Sequence, residues 1–386
     1  MSDYKVLITH PERQHSHELA TALEIHGKLY SYVHGAPVPD EVKMTIPATR
    51  RQALSYCRIG RVALGKVLPA DAALEHYYRL IWSFDAWMSR LMSGNKYQAV
   101  VGYENAALAQ FRQAKKLGLA CVLDNSGVHH TLQDSMIPHR VSTEFHRRIV
   151  LRKDEELALA DLVLTCSSFA AESFVSGGVA REKIRVVPLG CDTRIFGQAP
   201  KGNAEIDTVP RFLFVGRLNQ LKGADLLAAA ARQLRSNGIP FELTVAAALE
   251  GADPEILSAL SPLARLLGKV SHELLPSVYA NADCVVVPSR FDSFAFVVAE
   301  ALASGVPVIV SDHVGAKDMI EEGDNGWIVP AGDVDALVSR MRWCGEHRNA
   351  MRTMFFAASQ TAARMSWPRY HAQAASTLNE FMAKWL

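Results

Sequence analysis

Excess charge of either sign is absent from this chain: 41 Lys and Arg stand against 40 Asp and Glu in 386 residues, a formal net charge of +1. A nucleic-acid binder presents a strongly basic surface, so that class of partner is excluded. No run of about eighteen uninterrupted apolar residues occurs, the length a helix needs to cross hydrocarbon. Cysteine is sparse and scattered, at positions 57, 121, 166, 191, 284 and 344, with no C-x-x-C pair. That spacing predicts buried reduced thiols rather than disulfides or a zinc site. Internal repeats and low-complexity tracts are missing too. Met1-Ser2-Asp3-Tyr4-Lys5 leads straight into an apolar strand without the long apolar core of a secretory signal, so the expected location is cytoplasmic.

What is present is an ordinary globular composition, 49% hydrophobic and 21% charged. The length suits two domains. Short apolar runs alternate with helical patterns. Strands are predicted at Val6–Thr9, Ala99–Gly102, Ala120–Asp124, Leu162–Ser167 and Ile184–Pro188, with helices at Glu18–His26 and Arg152–Ala160. A polar stretch with Gly197, Pro200, Gly202 and Pro210 reads as a linker. The pattern then restarts, with strands at Arg211–Val215, Phe241–Val245, Cys284–Val287, Val306–Ser311 and Gly326–Val329. Helices fit Gly223–Asn237, Leu275–Ala280, Val297–Ala303, Val334–Trp343 and Pro368–Trp385. The expected class is α/β with doubly wound parallel sheets.

Two segments carry the chemistry. Gly216-Arg217-Leu-Asn-Gln-Leu-Lys222-Gly223 follows one predicted strand, and Pro288-Ser289-Arg-Phe-Asp292-Ser-Phe294-Ala-Phe-Val-Val-Ala-Glu300-Ala301 follows another. Both therefore fall at carboxyl ends of strands, on the rim where open α/β sheets bind ligands. Arg217 and Lys222 bring fixed cations suited to a diphosphate. Asp292 and Glu300 bring carboxylates that accept hydrogen bonds from sugar hydroxyls. Glu300 interrupts an apolar helical run, and a charge there demands a partner.

These segments resemble the donor-site motifs of the retaining glycosyltransferases of family 4. The resemblance extends upstream through Arg152-Lys-Asp-Glu-Glu156 and Val186-Val-Pro188-Leu-Gly190-Cys-Asp192, and it is weak over residues 1–150. It implies a GT-B fold, two Rossmann-like domains facing across a cleft. The expected boundaries are 1–196 for an acceptor-binding domain, 197–367 for a donor-binding domain, and 368–386 for a helix crossing back to the first. It implies transfer of a sugar from a nucleoside diphosphate sugar to a hydroxyl of a glycan, glycolipid or small molecule, without metal or cofactor. Gly216, Arg217, Lys222, Phe294, Ala295, Phe296, Val297 and Glu300 would hold the nucleotide sugar, with Glu300 on the ribose. Asp292 would meet the transferred sugar, where the family usually has glutamate, and His129, with His130 beside it, would face that sugar from the first domain. Ser293 and Ala295 stand where glycine is common. The remaining alternatives are a catalytically silent sugar-nucleotide binder and a GT-B sugar-nucleotide epimerase.

Competing readings attach to several positions. Asp292 also suits a helix N-cap. Arg13, His15 and His17 fit a solvated polar loop better than an acceptor contact. Asp333-Val-Asp335 matches a D-x-D metal pattern, but its place before an amphipathic helix favours capping. Arg50, Arg51, Arg58, Arg61 and Lys66, followed by an apolar run from Tyr77 to Met92, suit either a core-facing helix or peripheral contact with an anionic inner membrane face.

Overall fold

The computed structural model describes residues 4–137, 141–197 and 209–386; most of the predicted linker, 198–208, lies outside them. Strands β1 (Val6–His10), β2 (Leu29–His34), β3 (Arg51–Ala53), β4 (Ala99–Tyr103), β5 (Ala120–Asp124), β6 (Leu162–Thr165) and β7 (Ile184–Val186) form one sheet, ordered β3-β2-β1-β4-β5-β6-β7. Strands β8 (Arg211–Val215), β9 (Glu242–Ala246), β10 (Arg265–Gly268), β11 (Cys284–Val287), β12 (Val308–Ser311) and β13 (Gly326–Val329) form another, ordered β10-β9-β8-β11-β12-β13. Neighbours in both are parallel. The chain divides into two compact units. Unit 1 holds Met1–Cys166, Ala170–Val187 and Tyr370–Leu386; unit 2 holds Ser167–Phe169 and Pro188–Arg369.

Parallel sheets are covered on both faces, so their inner strands are apolar throughout. Every residue of β1, β4, β5, β11 and β12 is buried accordingly. That continuity made them legible in the sequence. Strands β2, β3 and β10 went unpredicted for the complementary reason. β3 and β10 are short, partly exposed edges, and β2 (Leu-Tyr-Ser-Tyr-Val-His) mixes polar residues into its run. All six cysteines are buried and none forms a disulfide, as expected.

The 50–92 region folds as two helices, Tyr56–Val67 and Ala70–Leu91. Ile81, Phe84 and Met88 of the second are buried, and the Trp82 ring stacks on Phe145 at 5.2 Å. The aromatic-rich run is therefore core-facing. Of the cations before it, Arg50 pairs with Glu24 and Arg61 with Glu12, while Arg51 Nε donates to the Ile46 carbonyl.

The Arg152–Glu156 segment is also structural. Glu156, fully buried, accepts backbone N–H bonds from Asn105, Ala107 and Leu108, and Asp85 accepts those of Ala109 and Gln110. Together they satisfy the otherwise orphaned donors at the start of the helix Leu108–Lys116. Arg152 pairs with both carboxylates.

In each sheet the order reverses beside its first strand, between β1 and β4 and between β8 and β11. Such switch points open a crevice outside the carboxyl ends of the strands. The two donor-type segments flank the second of them.

Candidate functional site

Because β8 and β11 are hydrogen-bonded neighbours, the loops leaving them meet in unit 2. Arg290 N donates to the Leu221 carbonyl at 2.9 Å, Arg290 Nη1 donates to the Gln220 carbonyl at 2.7 Å, and the guanidinium forks onto Asp225. Gly223 is required where the loops touch. Its φ is +67°, and a Cβ there would sit 2.0 Å from the Pro288 carbonyl oxygen.

Across this seam Lys222 Nζ lies 2.5 Å from Asp292 Oδ2. The sequence suggested both residues, but not that they pair. Arg217 is exposed and has no ion-pair partner among the described residues. One cation is thus free at the rim and a second is held by the carboxylate assigned to the sugar.

Asp292 is not the cap of the following helix, Phe296–Ala303. The cap position belongs to Ala295, and Asp292 Oδ1 instead accepts from Phe294 N at 3.2 Å. The Asp292 backbone is pinned from both sides, its N–H to the His313 carbonyl and its carbonyl to Gly315 N–H. Ala295 has φ +69°, left-handed backbone that glycine adopts without penalty. A non-glycine residue in that region costs about 1–2 kcal/mol, so the missing glycine is borne here as strain. Phe296 and Val297 follow as first-turn residues, whose N–H groups have no intrahelical carbonyl to bond. The Phe294 side chain is buried and that of Phe296 is exposed. The sequence-derived residues from Gly216 to Lys222 and from Asp292 to Glu300 thus converge on one seam.

Glu300 lies in the second turn of that helix, and its Oε2 accepts the Tyr279 hydroxyl at 2.8 Å. Tyr279 is fully buried, edge-on to Phe196 at 5.8 Å. Burial raises the Glu300 carboxyl above its usual range; the Tyr279 hydrogen bond and nearby His272 oppose that. Tyr279 went unrecognised in the sequence, because the partner of a half-buried carboxylate is set by packing and no local spacing announces it. Tyr279→Phe is expected to raise the Glu300 pKa further. If the carboxylate accepts a ligand hydroxyl, the acid limb of that ligand's affinity should then move to higher pH, with little change in kcat. Titration calorimetry from acid to neutral pH would show it.

Unit 1 has its own polar centre at the β1/β4 switch point. Here the expected solvated loop is corrected: His15 is buried, with Nε2 3.1 Å from both oxygens of Asp124, and Tyr103 donates to Asp124 Oδ2 at 2.8 Å. The His10 ring lies tilted against Tyr103, with ring centroids 4.4 Å apart. Burial, then His15, drives the His10 pKa down to about 3. Burial also opposes protonation of His15, but the Asp124 charge and hydrogen bond outweigh it and the net shift is upward. Glu18 bonds His17 and His371, and their hydrogen bonds overcome burial to lower it to about 2. Arg13 donates to the Pro37 carbonyl. Asp124 had been read only as a strand residue, and Tyr103 lay one residue past the predicted Ala99–Gly102 strand; they close β5 and β4 at their carboxyl ends.

His129 is buried and caps the helix His130–Met136, its Nδ1 2.9 Å from Thr131 Oγ1 and accepting from Thr131 N. Gly177 gives its ring room, since a Cβ there would lie 2.4 Å away. His130 Nε2 is 3.1 Å from Asp154. His129, His130 and Asp154 bring potential ligand atoms within 4.8 Å of one another, but Asp154 is half exposed and Lys153, paired with Glu104, adds a competing positive charge. Asp333 behaves as the helix cap it resembled, accepting from Ala336 N at 2.9 Å.

Residues 209–347 match the family model described as Glycosyl transferases group 1. Over 253 residues the chain is 30% identical to a D-inositol 3-phosphate glycosyltransferase of Nocardia farcinica, covering 61% of this chain and 55% of that one. It is 23% identical over 318 residues to the MMP alpha-(1->4)-mannosyltransferase of Mycolicibacterium hassiacum, covering 78% and 75%. The match thus spans about half the length of the first relative. The solved structure of HepE from Anabaena in complex with UDP aligns with a TM-score of 0.67 at 16% identity, over 97% of this chain and 100% of that one. Two Rossmann-like units with this topology constitute the GT-B fold.

Proposed function

We propose that this chain, whose residues 209–347 match the family model described as Glycosyl transferases group 1, moves a sugar from a nucleoside diphosphate sugar to an acceptor hydroxyl with retention at the anomeric carbon. The observation that carries this is the β8/β11 seam: an Arg217 without an ion-pair partner among the described residues and a Lys222–Asp292 pair at 2.5 Å on two loops that meet at a switch point, with a half-buried Glu300 in the helix that follows the second loop. The HepE structure with UDP supports a nucleotide donor in this fold.

The chemistry follows from charge. As the glycosidic bond breaks, the diphosphate gains negative charge, and cations placed to meet it stabilise that state more than the ground state. Arg217 and Lys222 fill that role. Lys222 must leave Asp292 to do so. The incoming diphosphate takes the ammonium while a hydroxyl of the transferred sugar takes the carboxylate, so each partner is exchanged rather than stripped. Glu300, held by Tyr279, accepts the ribose hydroxyls. Backbone N–H groups from Phe294 to Val297 lie along the same loop and the first turn after it. The departing diphosphate deprotonates the acceptor on the face it leaves, so no protein nucleophile is needed.

The acceptor is a glycan or lipid-linked hydroxyl compound, met in the cytoplasm with unit 1 in peripheral contact with the membrane. The test is release of free nucleoside diphosphate from UDP-, GDP- or ADP-sugars, preceded by a thermal-shift screen in which a bound donor raises the melting temperature. Turnover is expected to persist in excess EDTA, because the two cations occupy the role of a divalent ion. Loss in EDTA with recovery in magnesium or manganese would refute metal independence; binding without turnover on any acceptor would refute transfer.

A further inference from the structure

The helix Tyr56–Val67 has its apolar side turned the wrong way for a globular protein. Its inner face is narrow: Cys57 is buried, and Gly60 lies so close to the next helix that a Cβ would meet Leu80 Cδ1 at 2.4 Å. On the opposite face Ile59 is 65% exposed and Val62 52%; Val67, the last residue of the helix, is exposed too but lies in line with Gly60. At 100° per residue, Ile59, Val62, Ala63 and Lys66 fall within less than a third of the helix circumference, all exposed. The segment Tyr-Cys-Arg-Ile-Gly-Arg-Val-Ala-Leu-Gly-Lys-Val contains three cations and no acidic residue. Arg61 turns away, paired with Glu12 and lying over the Tyr77 ring. Arg58 and Lys66 stay exposed, without an ion-pair partner among the described residues.

We propose that this helix face is a docking surface for an anionic lipid bilayer, the helix lying in the headgroup plane with Ile59 and Val62 inserted and Arg58 and Lys66 among the phosphates. The proposal deepens the peripheral contact assigned above and rests on that reading of the acceptor. Charge selects the occupant. A second copy docking on the same face by two-fold symmetry would bring like cations against like. A bilayer supplies an apolar interior directly beneath a negative surface, and each Lys or Arg near such a surface contributes about 1 kcal/mol. Interfacial helices bind through buried apolar area together with attraction to anionic lipid, and this face joins two aliphatic side chains to two cations without an ion-pair partner among the described residues. The aromatic run Tyr77–Met92 is not part of this surface, since its large side chains mostly pack inward.

Flotation of the full chain with phosphatidylcholine vesicles, with and without phosphatidylglycerol, tests this. Binding is expected only when phosphatidylglycerol is present, and it should fall as salt rises. The double variant Ile59→Glu with Val62→Glu should abolish it. Arg58→Gln with Lys66→Gln should remove the preference for anionic vesicles, a readout that survives if the glutamate variant folds poorly. Nucleoside diphosphate release with a water-soluble acceptor should be unchanged in both, which separates loss of docking from failure of the transferase reading. Absence of vesicle binding, wild-type binding by the glutamate variant, or a dimer in light scattering that the same variant dissolves would each overturn the proposal.

Discussion

Arg217→Ala is expected to lower kcat/KM by about a hundredfold or more, the scale on which loss of one preorganised charge contact to a developing anion is felt. Arg217 is exposed and unpaired among the described residues, so its removal leaves no buried charge behind and should scarcely touch stability. Lys222→Ala should cost a comparable factor by a different route. It removes one diphosphate contact and also leaves Asp292 without the ammonium 2.5 Å from its carboxylate. Steady-state kinetics with a fixed donor, beside thermal denaturation of each variant, checks both. Turnover near wild type in either variant would remove that cation from the site.

The second large effect is expected at Asp292→Asn. If the carboxylate accepts a hydroxyl of the transferred sugar, kcat should fall about tenfold to a hundredfold, since hydrogen bonds to charged groups contribute about 1.5–3 kcal/mol. Nucleoside diphosphate affinity should hold or rise, because Lys222 no longer has to leave an ion pair. The gain is bounded by the small worth of partly exposed pairs, about 0–1 kcal/mol, and here the two side chains are 30% and 19% exposed. Falling kcat beside unchanged or tighter diphosphate binding is a combination that a capping role cannot produce, and Ala295, not Asp292, holds the cap position. Asp292→Glu probes reach, since one methylene moves the carboxylate by about a bond length. Calorimetry with the nucleoside diphosphate and turnover with the intact donor separate the two effects; turnover of Asp292→Asn within a few-fold of wild type would take the carboxylate off the sugar.

What the sequence determined by itself was everything written in short-range pattern. The buried parallel strands appear as unbroken apolar runs, Cys284–Val287 and Gly326–Val329 to the residue, because both faces of each sheet are covered. The donor loops were legible because each carries its chemistry within about a dozen residues of one strand end. Asp333 was legible as a cap for the same reason. What only the tertiary structure decided is pairing across distance. Lys222 and Asp292 are 70 residues apart and meet because β8 and β11 are neighbours, which no local signal states. His15 looked like a surface residue until β5 brought Asp124 beside it, and Tyr279 looked like filler until the helix carrying Glu300 packed over it. The outward turn of Ile59 and Val62 is of the same kind. Amphipathic spacing marks an apolar face, and only packing against Leu80 shows that this face is the one left uncovered. Periodicity is a property of neighbours along the chain, whereas the partner of a charge or of a bare face is a property of the whole fold.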